Sequence, residues 1–390
     1  MTNEKREPFK TRASRTVRTH AVYAATVEPV THMLTGACLS RACGFPARAR
    51  YATAACVIAA ELPDADYVYR LGGPLVYFQH HRGWTHALWS LPLQAVFAVL
   101  LFVAWHAFRR RTKRRRSREK PAPTNWPLLG GMALLALLTH ILLDWTNNYG
   151  VRPFAPWTPR WYAGELVFIV EPLLLLFLGG ALLLPLLFSL STREMGIRRE
   201  RGSGRGLAIA ALLLTAGLWV FRSLQRGDAL ALLHAQELRG GPVVRTSMDP
   251  HPINPYRWHA LAETPLNFQA GSVDTRTGLL ETDSQQVYAK PADTPTILAA
   301  KRSWLGRVYL NWSQFPLVVD AGTAAEVHPE LDLSPAERAL RVVQFNDLRF
   351  GYDVLGESGS AKPPLGAQAW VDANGRVIRI FLGDAEQRLQ

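Results

Sequence analysis

A mainly α, polytopic bundle of membrane helices followed by a small β-rich extracytoplasmic domain is the architecture to expect from this 390-residue chain. Long apolar runs crowd the N-terminal half; beyond residue 221 they vanish, and Pro, Asp, Thr, Gln and Asn become frequent. Basic residues collect in alternate connections between the runs, the pattern that membrane topology imposes.

Residues 87–107, 128–145 and 166–190 each approach or exceed the roughly 20 apolar residues that cross a bilayer. A shorter run at 207–221 lies between a basic loop and a polar segment and reads as a fourth span. Upstream, residues 30–43 and 51–60 predict a hairpin of half-length helices inside the bundle. The basic stretches 41–50, 109–120 and 193–205 should face the cytoplasm. The opposite loops, 61–86 and 146–164, hold only Arg70, Arg82, Arg152 and Arg160 as firm positive charges and should lie outside. That alternation leaves the chain after Phe221 extracytoplasmic. The basic tail 1–27 is the misfit: its charge belongs inside, whereas the alternation starts the first short helix outside. It lacks the apolar core of a cleaved signal peptide. The net charge of +13 is absorbed by topology, so nucleic acid is not an expected partner. Cys38, Cys43 and Cys56 offer neither a disulfide framework nor zinc-ribbon spacing.

The chain therefore divides into the tail 1–27, a membrane-embedded domain 28–225, a linker 226–240 of helical character, and an extracytoplasmic β-rich domain 241–390. In the last, "YRWHALAETPLNFQAGSVDT" and "RVYLNWSQFPLVVD" read as strands, and Asn374-Gly375 marks a hairpin turn. One helix is expected over "SPAERALRVVQFND", with Ser334 as N-cap and Glu337 at the capping-box position.

Ionisable residues at a membrane edge are costly and often functional. Here they cluster: His32 in the first short helix, Asp64 and Asp66 after the second, His81, Arg82 and His86 before the first long span, and His140 with Asp144 at the end of the next. The charge-derived topology puts all of them at the external face. His140 and Asp144, four apart, share one helix face. Histidine nitrogens with carboxylate oxygens suit a divalent ion, zinc foremost, with manganese or iron as alternatives. Such an ion makes hydroxide available at neutral pH and polarises a phosphoryl or carbonyl oxygen, so hydrolysis is the expected chemistry. Arg82 suits an anionic substrate group, and Asp66 or Glu165 is a candidate to orient water or take its proton. His80, beside these groups, is expected to be a neighbour and not a ligand.

The ordered segments "VTHMLTG", "LPDAD", "HRGWTH" and "HILLDWTNNYGVRPFAPWTPRWYAGELVFIVEP" resemble the bacterial membrane-bound metal-dependent hydrolases, an inner-membrane family, over about residues 28–190. The resemblance implies a multi-pass protein of the bacterial inner membrane with membrane lipids as neighbours. It implies site positions His32, Asp64, Asp66, His81, Arg82, Thr85, His86, His140 and Asp144, followed by Asn147, Asn148, Tyr149 and Gly150, with Asn147 and Asn148 toward substrate. Where that family carries Asp before Pro, this chain has Glu171 before Pro172, with Glu165 slightly upstream; both are secondary candidates. The order His, Asp, His, His-x-x-x-Asp also looks like that of zinc-dependent bacterial phospholipases C, which suggests a phosphoester substrate. The rival expectation is a non-catalytic scaffold or transporter that binds a divalent metal.

Overall fold

The protein is described by a computed structural model covering residues 19–113, 124–194, 204–236, 238–351 and 365–389. Much of the basic sequence used above for orientation, at 1–18, 114–123 and 195–203, lies outside the described residues.

Among the described residues, the N-terminal half contains the α-helices α1 (Thr19–Ala42), α2 (Ala52–Glu61), α3 (Pro74–His80), α4 (Leu91–Lys113), α5 (Trp126–Thr146), α6 (Pro172–Glu194) and α7 (Arg205–His234). Among the described residues, three stretches, Leu88–Arg109, Trp126–Thr146 and Arg205–His234, are long and apolar enough to cross a membrane, whereas the apolar part of α6, Pro172–Phe188, is shorter. The expected span at 166–190 thus begins later than its hydropathy suggests: Glu171-Pro172 starts the helix, and Val167 instead forms a bridge with Asn147. The short run at 207–221 and the expected helical connector merge into the 30-residue α7. The first half-length helix is also longer than expected, starting at Thr19 and continuing through Pro29.

Small residues bring α2, α4 and α5 together. Ala52, Ala55, Ala59 and Ala60 pack with Ala95, Ala98, Ala133 and Ala136 in one buried cluster, the close-approach chemistry of membrane bundles. α1 leans on α2 at Gly36, where a Cβ would stand 2.7 Å from the Cys56 carbonyl oxygen and 3.1 Å from Ala60 Cβ. Gly36→Ala is therefore expected to destabilise the bundle by about 1–3 kcal/mol through overpacking. Thermal unfolding in detergent reads this directly, and an unchanged midpoint would contradict the close contact.

Two antiparallel sheets follow. The first is a meander of β1 (Arg245–Pro250), β2 (Arg257–Glu263), β3 (Asn267–Asp274) and β4 (Leu279–Ala289). The helices α8 (Pro295–Arg302) and α9 (Trp304–Trp312) lead into the second sheet, ordered β5 (Pro316–Thr323), β6 (Arg341–Asp347), β7 (Ala367–Val371), β8 (Val377–Leu382) and β9 (Ala385–Gln387). Short turns α10 (Ala324–Val327) and α11 (Pro335–Arg338) lie between β5 and β6. The hairpin at Asn374-Gly375 joins β7 to β8, with Gly375 at φ 76°.

Two sequence expectations are corrected. Residues 307–312, expected as strand, complete α9: the Ser303 side chain caps it by accepting from Gly306 N–H at 3.1 Å, and Leu305, Tyr309 and Trp312 bury one helical face. Conversely, the helix expected over 334–347 stops after one turn. Its capping box forms as expected, but Arg341–Asp347 becomes β6, where Val342, Val343 and Phe345 are buried between β5 and β7.

The sheets dock on one end of the bundle. Leu75, Phe78, Tyr149 and Trp161 join Tyr309, Trp312, Phe345 and Phe350 in a single apolar cluster. Ala229 and Leu233 of α7 enter the core of the first sheet. Arg222, buried in α7, donates to the carbonyls of Leu166 (2.9 Å), Pro255 (2.7 Å) and His251 (3.3 Å), tying bundle to sheet.

Candidate metal centre

Four separate elements bring five of the six predicted ligands, all but His81, to the docked end of the bundle together with Asp66, the candidate base. α1 supplies His32, the 3-10 segment Pro63–Gly72 supplies Asp64 and Asp66, the turn Trp84–His86 supplies His86, and α5 supplies His140 and Asp144. Pro63 opens the 3-10 segment, placing both aspartates in its first turn. The i,i+4 spacing on α5 puts His140 Nε2 3.3 Å from Asp144 Oδ2.

The central geometry is a triangle of acceptors. His86 Nε2 lies 3.1 Å from His140 Nε2 and 3.1 Å from Asp144 Oδ2, with the third edge at 3.3 Å. Asp64 Oδ1 approaches the same two nitrogens at 3.5 and 3.7 Å. A tetrahedral site with ligand bonds of about 2.0–2.1 Å has edges of about 3.3 Å. His140 Nδ1 sits 2.6 Å from the Ala60 carbonyl, which can only accept; Nδ1 therefore carries the hydrogen and Nε2 presents its lone pair to the triangle. Asp144 Oδ2 is buried, and among the described residues the ring nitrogens of His86 and His140 are what face it. Facing lone pairs at this distance are relieved by a proton on His86 Nε2 or by a bound cation. Among the described residues, the groups able to hold one are His32, His140 and Asp144, and Asp64, His86 and His140, each with its ligand atoms within 4.8 Å of one another. His32 joins from the far side, its Nε2 3.3 Å from Asp144 Oδ1 and its ring stacked 3.7 Å from that of His140.

Asp66 supports the centre. Its carboxylate accepts from Arg82 N–H at 2.8 Å and the Thr85 hydroxyl at 3.3 Å, and it meets His81 Nδ1 at 3.1 Å. These bonds hold the turn in which Arg82 takes a left-handed φ of 52°. They place His86 with Nδ1 3.6 Å from the same carboxylate. Burial opposes the charge of Asp66, but His81, His86 and the Arg82 N–H hold its carboxyl below the ordinary range. Asp64 is likewise lowered against its burial, chiefly by His140 and His86. Burial disfavours charge on His86, yet Asp144 and Asp64 raise it to about 9; the acceptors that draw a proton there would also draw a divalent cation.

The other predicted residues take distinct places. Arg82, expected to clamp substrate, is buried with Nη2 3.0 Å from Asp144 Oδ1, while Nη1 donates to Asn147 Oδ1 at 3.3 Å and the Gly150 carbonyl at 2.9 Å. His81 pairs with Asp66, outside both metal-sized groups. His80 stacks on Tyr69. Asn147 Oδ1 also accepts the N–H groups of Tyr149 (3.0 Å) and Gly150 (3.1 Å), closing the turn after α5. Asn148 is fully buried, and among the described residues neither its side-chain oxygen nor its side-chain nitrogen has a hydrogen-bond partner. Glu171 lines a cavity of about 20 Å³ with His32, Asp144 and Asn147, space for one water. Glu165 pairs instead with Arg226 at 2.5 Å and accepts from the Ser247 hydroxyl at 3.2 Å.

That serine also lies 2.9 Å from Asp249, which sequence reasoning passed over. Burial, then the nearby Glu165 charge, pushes the Asp249 carboxyl well above the ordinary range. A carboxyl whose folded pKa is raised takes up a proton on folding, so its contribution declines as pH rises from the unfolded value through the folded one. Asp249→Asn should remove that loss, and its stability advantage over wild type should grow with pH by up to about 1.4 kcal/mol per unit. Unfolding followed across the pH range above about 4 tests it, since an advantage independent of pH contradicts the raised carboxyl.

A family model described as YdjM inner membrane protein matches residues 27–229, just over half of the chain. The chain belongs to the YdjM inner membrane protein family. With three apolar helices of spanning length, membership makes it a protein of the membrane. The YdjM region contains every residue of the acceptor cluster and ends inside α7, before β1. Over 127 residues the chain is 27% identical to the uncharacterized protein YfhP of Bacillus subtilis (strain 168), an alignment covering 33% of this chain and 34% of that protein. No solved structure matches.

Proposed function

We propose that this YdjM-family chain is a membrane-bound metal-dependent hydrolase acting at the external face of the inner membrane on a lipid or envelope phosphoester. Zinc is the favoured ion, with manganese or iron as alternatives. The observation that carries the reading is the buried triangle of His86 Nε2, His140 Nε2 and Asp144 Oδ2, with edges of 3.1, 3.1 and 3.3 Å and Asp64 beside it.

An ion held there supplies Lewis acidity toward a phosphoryl oxygen and a more acidic water. The chain's own residues supply the rest. Asp64 is 23% exposed while His86, His140 and Asp144 are at most 1% exposed, so substrate approaches from the Asp64 side. The His81–Asp66 pair stands next to His86 and is placed to take a proton, with the carboxylate orienting the imidazole. Arg82 offsets the charge of Asp144, and its bonds to Asn147 and Gly150 set the floor of the site.

The external placement is supported by two groups of residues at opposite ends. The ligands share one end with the β-rich domain, whereas at the other end Arg205 reaches the Ala42 carbonyl at 3.0 Å beside Arg41, in keeping with a cytoplasmic basic face. The burial of all but Asp64 favours a second reading, a scaffold or transporter that holds the same ion without turnover. Reconstituted protein assayed on phospholipid and generic phosphodiester substrates separates the two. Hydrolysis lost on chelation and restored by zinc is expected; bound metal without turnover across the panel would favour the scaffold or transporter.

A further inference from the structure

The YdjM region stops inside α7, so the sheets beyond it have no part assigned by the family. One side chain from them reaches the metal centre's own loop. Arg349 sits in the 3-10 turn Leu348–Phe350 after β6 and is fully buried. Its Nη2 and Nε donate to the Asp347 carboxylate at 2.8 and 3.1 Å. Asp347 is fixed in turn by the Ser313 hydroxyl at 2.8 Å and the Gln314 N–H at 3.0 Å. A guanidinium clamped this way has its remaining donor direction set. That donor, Nη1, goes to the Asn148 carbonyl at 2.8 Å.

Asn148 lies within the turn whose hydrogen bonds converge on Asn147 Oδ1, and Asn147 Oδ1 also receives Arg82 Nη1. The other end of Arg82 holds Asp144 at 3.0 Å. Tyr149, in the same turn, packs its ring 5.2 Å from Trp312 of α9 and lies beneath the Arg82 guanidinium at 4.9 Å. A continuous set of polar contacts therefore runs from Asp347 through Arg349, the 147–150 turn and Arg82 to Asp144.

We propose that Arg349 is a positioning residue for the metal centre: the C-terminal domain, through Arg349 on the Asn148 carbonyl, holds the turn that aims Arg82 at Asp144. The consequence for metal affinity rests on the metal-centre reading above; the consequence for the turn does not. Partners that orient a metal ligand from behind change affinity by about 10–100-fold when removed.

The test uses the full chain in nanodiscs. Asp347→Asn with Arg349→Met removes the donor without stranding a buried carboxylate. Hydrogen exchange at the Tyr149 and Gly150 amides should accelerate, zinc affinity by chelator competition should fall about 10–100-fold, and exchange in β1–β3 should stay as in wild type. Arg349→Lys, which keeps one donor, should recover part of both effects. Arg379→Met, which breaks an outer pair with Glu386, should leave both unchanged. In an Asn147→Ala background the double substitution should add little to the loss of affinity, since the path through the turn is already cut. Wild-type zinc binding with unchanged amides and affinity in the double variant overturns the proposal. A wild type that binds no zinc, yet whose turn loosens in the double variant, overturns the metal reading and supports the positioning role. If the double variant does not fold, Arg349→Lys decides alone: protection of Tyr149 and Gly150 equal to wild type, with equal zinc affinity where wild type binds zinc, overturns the proposal, and faster exchange at both amides supports it.

Discussion

Asp144→Asn and His140→Ala are each expected to strip the purified protein of its divalent metal. Asp144 is the meeting point of the site, within 3.3 Å of His32, Arg82, His86 and His140. Asparagine keeps the shape but replaces an anionic oxygen by a neutral amide, so the two histidine lone pairs lose their charged partner. His140 belongs to both metal-sized groups, and its alanine variant breaks each of them. Affinity should fall by more than about 100-fold in either variant, beyond the 10–100-fold typical of outer partners. Metal-to-protein ratios by mass spectrometry after desalting read the result. Stoichiometric metal retained in both variants would contradict the assignment.

Arg349→Met alone should destabilise the C-terminal sheets by about 3–5 kcal/mol, because it strands Asp347 as a fully buried, unpaired carboxylate. Burial raises the Asp347 carboxyl, and the Arg349 charge and hydrogen bonds outweigh it, holding the carboxyl below the ordinary range. A depressed carboxyl contributes stability that is present above the unfolded pKa and is lost as pH falls through the folded one. In the variant the carboxyl has no cation and takes up a proton instead. The difference between wild type and variant should therefore be largest above about pH 4 and shrink below it. Adding Asp347→Asn should recover much of the loss. Denaturant unfolding followed by the buried Trp258, Trp312 and Trp370 measures this. A difference constant with pH would point to lost packing and away from a stranded charge.

What could be read from the sequence was what is local in it. Apolar runs announced α4, α5 and α7, and Asn374-Gly375 announced its hairpin, because each depends on contiguous residues. His140 with Asp144, and Asp64 after Pro63, carried their own spacing signals, and topology put them at the same end. The misread segments are those in which β-branched and aromatic residues fit either period. Residues 307–312 became helix because Ser303 caps them and Leu305, Tyr309 and Trp312 share a buried face. Residues 341–347 became a strand because β5 and β7 flank them. The bonds of Arg82 to Asp144 and Asn147 were not legible in the sequence, because both partners lie more than 60 residues away along the chain. The tie from Arg349 to the 147–150 turn had no signal at all: it ends on a backbone carbonyl 201 residues away.

The most direct test of the account is the metal content of wild-type protein purified from membranes without added metal, together with X-ray absorption at the edge of whatever metal is found. About one or more divalent ions per chain with mixed imidazole nitrogen and carboxylate oxygen ligands is the predicted result. Folded protein that carries no metal and takes up neither zinc, manganese nor iron on reconstitution would contradict it.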